Sequence, residues 1–151
     1  MLVTNHVLSG ALVGALAENP VAALPLGVAS HFALDAAPHW GRWESSESFL
    51  RVAVVDGLVG LGVMAGVAAF TSPARRASVV AGMVGAALPD LDKPARLFFG
   101  RSPFPRRWDA FHGRIQDEAP GRFYSHELRG GAVFAAALAA CTLLARKRVR
   151  P

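Results

Sequence analysis

"VAVVDGLVGLGVMAGVAAF", residues 52–70, decides how this chain is read. It lacks the period-two alternation of a half-buried strand, and Asp56 is its lone charge, so it reads as a helix. Its length lies near the lower limit for crossing a hydrocarbon core, which takes about 17–25 residues.

Four further apolar segments flank it. "VLSGALVGALA" (7–17) ends at "ENP", and "VAALPLGVASHFALDAA" (21–37) ends at Pro38. "ASVVAGMVGAALPDL" (77–91) and "GGAVFAAALAACTLLA" (130–145) follow. Across the set Ala and Leu outweigh β-branched residues, and all five read as helices. Those at 21–37, 52–70 and 130–145 are long enough to span. The other two must tilt, borrow flanking residues or insert in part. Small-residue spacings at Gly10/Gly14 and Gly62/Gly66 permit close helix contact. The expected fold is all-α, a polytopic membrane bundle of about four to five apolar helices. Residues 1–151 form a single membrane domain, and residues 92–129 are a long polar loop within it. The competing fold is a soluble helical bundle with an unusually apolar surface.

Composition agrees with a bilayer. Hydrophobic residues make up 52% of the chain, charged residues 18%, and mean hydropathy is +0.32. Soluble domains carry about 25% charged residues. The net charge of +5 is unevenly spread, with four basic residues in the terminal "RKRVRP" directly after an apolar run. That placement reads as a juxtamembrane stop, and no nucleic-acid partner is expected. Cys141 is the lone cysteine, which excludes a disulfide frame and a thiolate metal site and leaves a small buried apolar residue. "MLVTNHVLSG" lacks the basic start of a signal peptide, so the first residues are expected to stay. Trp40, Trp43 and Trp108 fall in connections beside apolar segments, where interfacial aromatics belong.

The loop at 92–129 holds half of the 16 basic residues and most of the aromatics. Pro94, Pro103, Pro105 and Pro120 break any long helix there, leaving room for a short one near "RRWDAFHGRIQ". Threading the chain through a membrane brings the ionisable residues to one end. His6 begins the first helix; His31, Asp35 and His39 close the second; Asp56 lies near the start of the third. Asp90 and Asp92 end the fourth, and His126 and Glu127 precede the fifth. The opposite end receives "ENP", "TSPARRAS" and the basic tail.

In "SHFALDAAPHW" (30–40), His31 and Asp35 lie four apart, on one helix face and within reach of one ion. Pro38 turns the chain so that His39 can fold back. Asp90 and Asp92 converge where backbone turns irregular, and a cation would relieve their repulsion. Such ligands are nitrogen and oxygen without sulfur, which suits a divalent metal ion: zinc or manganese ahead of magnesium. Arg101, Arg106, Arg107, Arg114 and Arg122 can hold an anionic, phosphate-bearing substrate. The bland alternative is a hydrogen-bonded helix end at His31 and Asp35, and a solvated turn at Asp90 and Asp92.

"TNHVLSG", "SHFALDAAPHW", "GAALPDLDKP" and "FHGRIQDEAPGRFYSHEL" together resemble a family of small bacterial integral membrane proteins described as inner-membrane-associated, metal-dependent hydrolases. The resemblance implies a multi-pass protein of the inner membrane that hydrolyses a phosphoester, plausibly lipid-linked. The H-x3-D spacing also looks like helices of zinc-dependent phospholipases C and nucleases. Lys93 stands where the family's LPD-x-D element is followed by His, and His112 and His126 are farther apart than in its HR-x3-HS element. The metal ligands expected are His6, His31, Asp35, Asp90 and Asp92, with His39 as ligand or general acid/base. His112, Glu118 and His126 are the remaining catalytic candidates. The competing function is a non-catalytic membrane protein with a structural metal or polar cluster. A transporter would need polar residues through the full membrane depth, and the sequence places them at one end.

Overall fold

The computed structural model describes residues 1–41 and 45–148, and it is all-helical among them. The helices are α1 (Val3–Ala17), α2 (Pro20–Asp35), α3 (Ser46–Phe70), α4 (Pro73–Ala87), α5 (Asp92–Phe99), α6 (Arg106–Ile115) and α7 (Tyr124–Arg148). A single 3-10 turn, Leu88–Leu91, joins α4 to α5. The five apolar segments are therefore five helices, and the short helix expected near "RRWDAFHGRIQ" is α6. Helix α5 was not expected. Pro94 sits in its first turn, where a missing N–H costs nothing. Trp43 and the basic tail's side chains lie outside the described residues.

Local chemistry sets the boundaries. Glu18 ends α1 in the left-handed conformation, and its N–H donates to the Gly14 carbonyl at 3.3 Å. Asn19 then caps α2 by accepting from Val21 N at 2.9 Å, with Pro20 as the first helical residue. Ser45 and Ser48 form a reciprocal capping box at the start of α3. Thr4 and Asn5 lie inside α1. The cap of α1 comes from another helix. Asp56 of α3 accepts from Val3 N at 2.6 Å, Thr4 N at 3.3 Å and Thr4 Oγ1 at 2.6 Å.

Helices α1, α2 and α4 form the core, around Val7, Ala11, Val79 and Met83. Their backbones approach through glycine. A Cβ on Gly10 would overlap the Gly82 carbonyl, one on Gly14 would overlap the Ser78 carbonyl, and one on Gly27 would overlap Gly82 again. This is small-residue packing, in which absent side chains let helices touch. Gly10 and Gly14 behave as their spacing implies. Gly62 and Gly66 do not, because a Cβ at either meets nothing within 4 Å.

Helices α3 and α7 flank α1 and are long and apolar enough to cross a membrane, over Ser46–Phe70 and Tyr124–Leu144. Of their most apolar windows only 6% and 11% is buried by the protein. Val55, Leu58 and Leu61 on α3 and Val133 and Leu143 on α7 are exposed. Helices α1, α2 and α4 have 15 or 16 residues. That is about 22–24 Å of helix, less than the ~30 Å hydrocarbon thickness. Cys141, expected to be buried, is half-exposed on α7. At the end of the bundle bearing "ENP" and "TSPARR", Glu18 and Arg75 form an ion pair.

Candidate metal centre

The opposite end holds the buried ionisable groups. His31 and Asp35 occupy one face of the last two turns of α2, and both are fully buried. Past Pro38 the chain forms a short parallel pairing with residues 117–119. Asp117 N donates to Asp35 O at 2.9 Å, His39 N to Asp117 O at 3.0 Å, and Ala119 N to His39 O at 3.1 Å. This strap ties the end of α6 to the end of α2. Phe32 completes the attachment, with its ring edge-on to Trp108 at 5.3 Å and to Phe111 at 5.1 Å. Asp109 ties α6 to α5 through Arg96 and Ser102. His112 is thereby carried inward to 2% exposure.

Four side chains meet there: His31, Asp35, Asp90 and His112, with ligand atoms all within 4.8 Å of one another. His31 Nε2, His112 Nε2 and Asp35 Oδ2 form a triangle with every side 3.1 Å. Asp90 Oδ1 lies 3.6 Å from His112 Nε2 and 4.0 Å from His31 Nε2. Tetrahedral ligands at ~2.0–2.1 Å from a zinc-like ion stand about 3.3 Å apart, so these separations fit one ion.

The protonation pattern fits as well. His31 Nδ1 donates to the Ala86 carbonyl at 2.7 Å. A carbonyl only accepts, so this bond places the proton on Nδ1 and turns the Nε2 lone pair inward, as metal-bound histidines require. His112 and Gln116, four apart, repeat the i,i+4 arrangement from the other side. Gln116 Nε2 lies 3.4 Å from Asp35 Oδ2 and 3.3 Å from His112 Nε2.

Two expected ligands stand behind the four. The His6 ring stacks on His31 at 3.9 Å, with Nε2 3.2 Å from Asp35 Oδ1 but out of hydrogen-bond alignment. Both its ring nitrogens are buried without a hydrogen-bond partner. Asp92 Oδ1 lies 4.0 Å from His112 Nδ1, on the far side of that imidazole. His112, expected to be catalytic, lies among the four residues that could hold an ion, carried there by the strap and the Phe32 contacts.

The remaining candidates lie outside the four. His39 is buried in the strap, its Nδ1 donating to Ala37 O at 2.9 Å. Glu118 is exposed and packs against Gly41. His126 Nδ1 accepts from Phe123 N at 3.1 Å, which closes the first turn of α7. Its neighbour Glu127 is the buried residue of that pair. It accepts from Leu2 N, Asn5 Nδ2 and Trp40 N and so fastens α7 to α1 and to the strap. Asp56 is engaged on α1.

Lys93, Gln116 and Phe32 are the residues the sequence reading missed. Lys93 Nζ donates to Asp90 Oδ1 at 2.7 Å, bringing an ammonium beside the cluster. Burial opposes ionisation of Asp90, but Lys93 and the nearby histidines outweigh it and hold the carboxyl at about 2. Burial likewise opposes charge on Lys93, and Asp90 overrides it and raises the ammonium above its ordinary value. Burial pushes Asp92 up. Arg101, Arg106, Arg107, Arg114 and Arg122 are all exposed. Two carboxylates and two imidazoles make an N2O2 set that could hold a metal ion. Comparison with protein-family models, curated proteins and solved structures returned no match to this chain.

Proposed function

We propose that this chain is a multi-pass protein of the inner membrane that hydrolyses a phosphoester at a divalent-metal centre. The supporting observation is the convergence of His31, Asp35, Asp90 and His112 from α2, the 3-10 turn and α6. Helices α3 and α7 span, and the shorter α1, α2 and α4 share the bilayer in their shelter, tilted or with local thinning. The apolar exteriors of Leu24, Leu26 and Val84 on the short helices support that placement.

His31, Asp35, His112 and Asp90 would hold the metal, with zinc or manganese ahead of magnesium. Such an ion polarises phosphoryl oxygen and supplies hydroxide at neutral pH. Around it the chain's own groups have distinct parts. Ala86 O fixes the His31 tautomer, Gln116 steadies Asp35 and His112, and Lys93 presents positive charge where a phosphate would arrive.

A structural metal is the second reading. It is favoured by the burial of all four ligands and by four protein ligands, the number that closes a structural zinc site. Asp90 argues for the catalytic reading, because Lys93 shares it and both line a groove. Elemental mass spectrometry of detergent-purified protein, beside His31→Ala and Asp90→Ala, tests the centre. Metal in the wild type and its loss from both folded variants support it. Wild type that stays metal-free after reconstitution with zinc and manganese sinks both readings. Bound metal with no turnover across a panel of phosphomonoesters and phosphodiesters leaves the structural one.

A further inference from the structure

A groove of about 540 Å³ runs between α3 and α5 and ends at Asp90 and Lys93. That volume lies within the ~300–1,000 Å³ of small-molecule sites. Leu50, Val54, Leu58 and Leu61 of α3 form one wall, and Leu97 and Phe98 of α5 form the other. Val54, Leu58, Leu61, Leu97 and Phe98 are each at least half exposed, so the groove opens sideways along a membrane-capable helix. Its polar groups sit at the α1 and Asp90 end. Of these, Asp56 is spent on α1 and the Met1 ammonium on Asp35, which leaves Asp90 and Lys93. A groove of similar volume, about 500 Å³, on the α7 side of α1 reaches none of the four metal-site residues.

An apolar trough open to lipid, with an ammonium at its inner end, is complementary to an amphiphile with a negative head. Lys93 has three N–H donors and gives one to Asp90, leaving donors for a phosphate oxygen. Resting on the metal-centre reading above, we infer that the α3–α5 groove seats the acyl chains of an anionic lipid. The headgroup phosphate lies at Lys93, beside Asp90, so the substrate enters from the bilayer and not from water.

Gly57 makes this testable. It lines the groove on α3, and a Cβ there meets nothing within 4 Å. Gly57→Phe therefore fills the groove without disturbing the helix packing. Gly62→Phe, on the same helix and equally unobstructed but outside the groove, is the control.

Binding of dioctanoyl phosphatidic acid, glycerol phosphate and dioctanoylglycerol to the full chain in detergent would be measured by isothermal titration calorimetry. Wild type should bind the phosphatidic acid at least about tenfold more tightly than either fragment. Gly57→Phe should lose about tenfold or more of that affinity while Gly62→Phe keeps it. Lys93→Met should weaken the phosphatidic acid and leave dioctanoylglycerol unchanged. Equal binding of glycerol phosphate would overturn the proposal in favour of a soluble phosphate. Unchanged affinity in Gly57→Phe would overturn the location. Metal content read on the same samples separates this proposal from the one beneath it. Metal retained with no lipid preference sinks the groove alone, and lipid binding without metal sinks the centre alone.

Discussion

His31 is held by Ala86: its Nδ1 donates to that carbonyl across 2.7 Å, from α2 to the last turn of α4. The bond is made by backbone, so no substitution of residue 86 removes the acceptor. It also fixes which nitrogen faces the centre. In nitrogen-15 spectra of metal-free protein, the neutral His31 ring should appear as the Nδ1–H tautomer. An Nε2–H signal would contradict the geometry.

Ligand substitutions should divide into two groups. His31→Ala, Asp35→Ala, Asp90→Ala and His112→Ala should each abolish stoichiometric metal. His126→Ala and Glu118→Ala should keep it, since neither side chain belongs to the cluster. The outcome at His112 and His126 is the sharpest. Metal loss in His126→Ala with retention in His112→Ala would reverse the assignment.

Phe32→Ala removes the ring on which Trp108 and Phe111 rest, leaving every ligand in place. Helix α6 should loosen. Metal affinity should fall about 10–100-fold, as when the support around a ligand is lost. Competition with a chromogenic chelator reads this directly, and unchanged affinity would show that the strap alone positions His112.

Gly82→Val should destabilise the bundle by about 3 kcal/mol or more, because its Cβ overlaps the backbone of α1 and nothing nearby can move aside cheaply. Gly62→Val, facing open space, should stay within about 0.5 kcal/mol of wild type. Unfolding of both variants in mixed micelles provides the comparison, and equal stability would mean that the α1–α4 contact is looser than described.

Asp56→Ala should cost about 1–2 kcal/mol through loss of the α1 cap, with metal content unchanged. Metal loss would place Asp56 in the centre, a role its hydrogen bonds to Val3 and Thr4 leave no room for.

Local spacing made much of this legible. His31 and Asp35 share a face because a helix repeats every 3.6 residues, and that holds whatever surrounds them. The five apolar helices were legible because unbroken runs rich in Ala and Leu lack the alternation of a half-buried strand. Asp90 and Asp92 were legible as a pair but not as different kinds of residue. The 3-10 turn gives Asp90 to the cluster and places Asp92 behind the His112 ring. His112 and His126 look alike in sequence, each a lone histidine in a polar connection. Distant contacts part them: Phe32 and the strap draw one inward, while Phe123 holds the other at a helix end. The i,i+4 pair His112 and Gln116 was the one local signal that favoured the first. The tilt of the short helices is equally non-local, since 15 residues of α1 do not say what shelters them.

Because Asp56 serves Val3 and Thr4 across 53 and 52 residues, the start of α1 is finished by α3 and not by its own neighbours in sequence. Until α3 docks, the leading N–H groups of α1 lack the carboxylate that accepts them, and leaving such groups unpaired on burial costs about 1–3 kcal/mol each. The first turn of α1 therefore closes only with α3 in place, and its amide protons should exchange whenever α3 detaches.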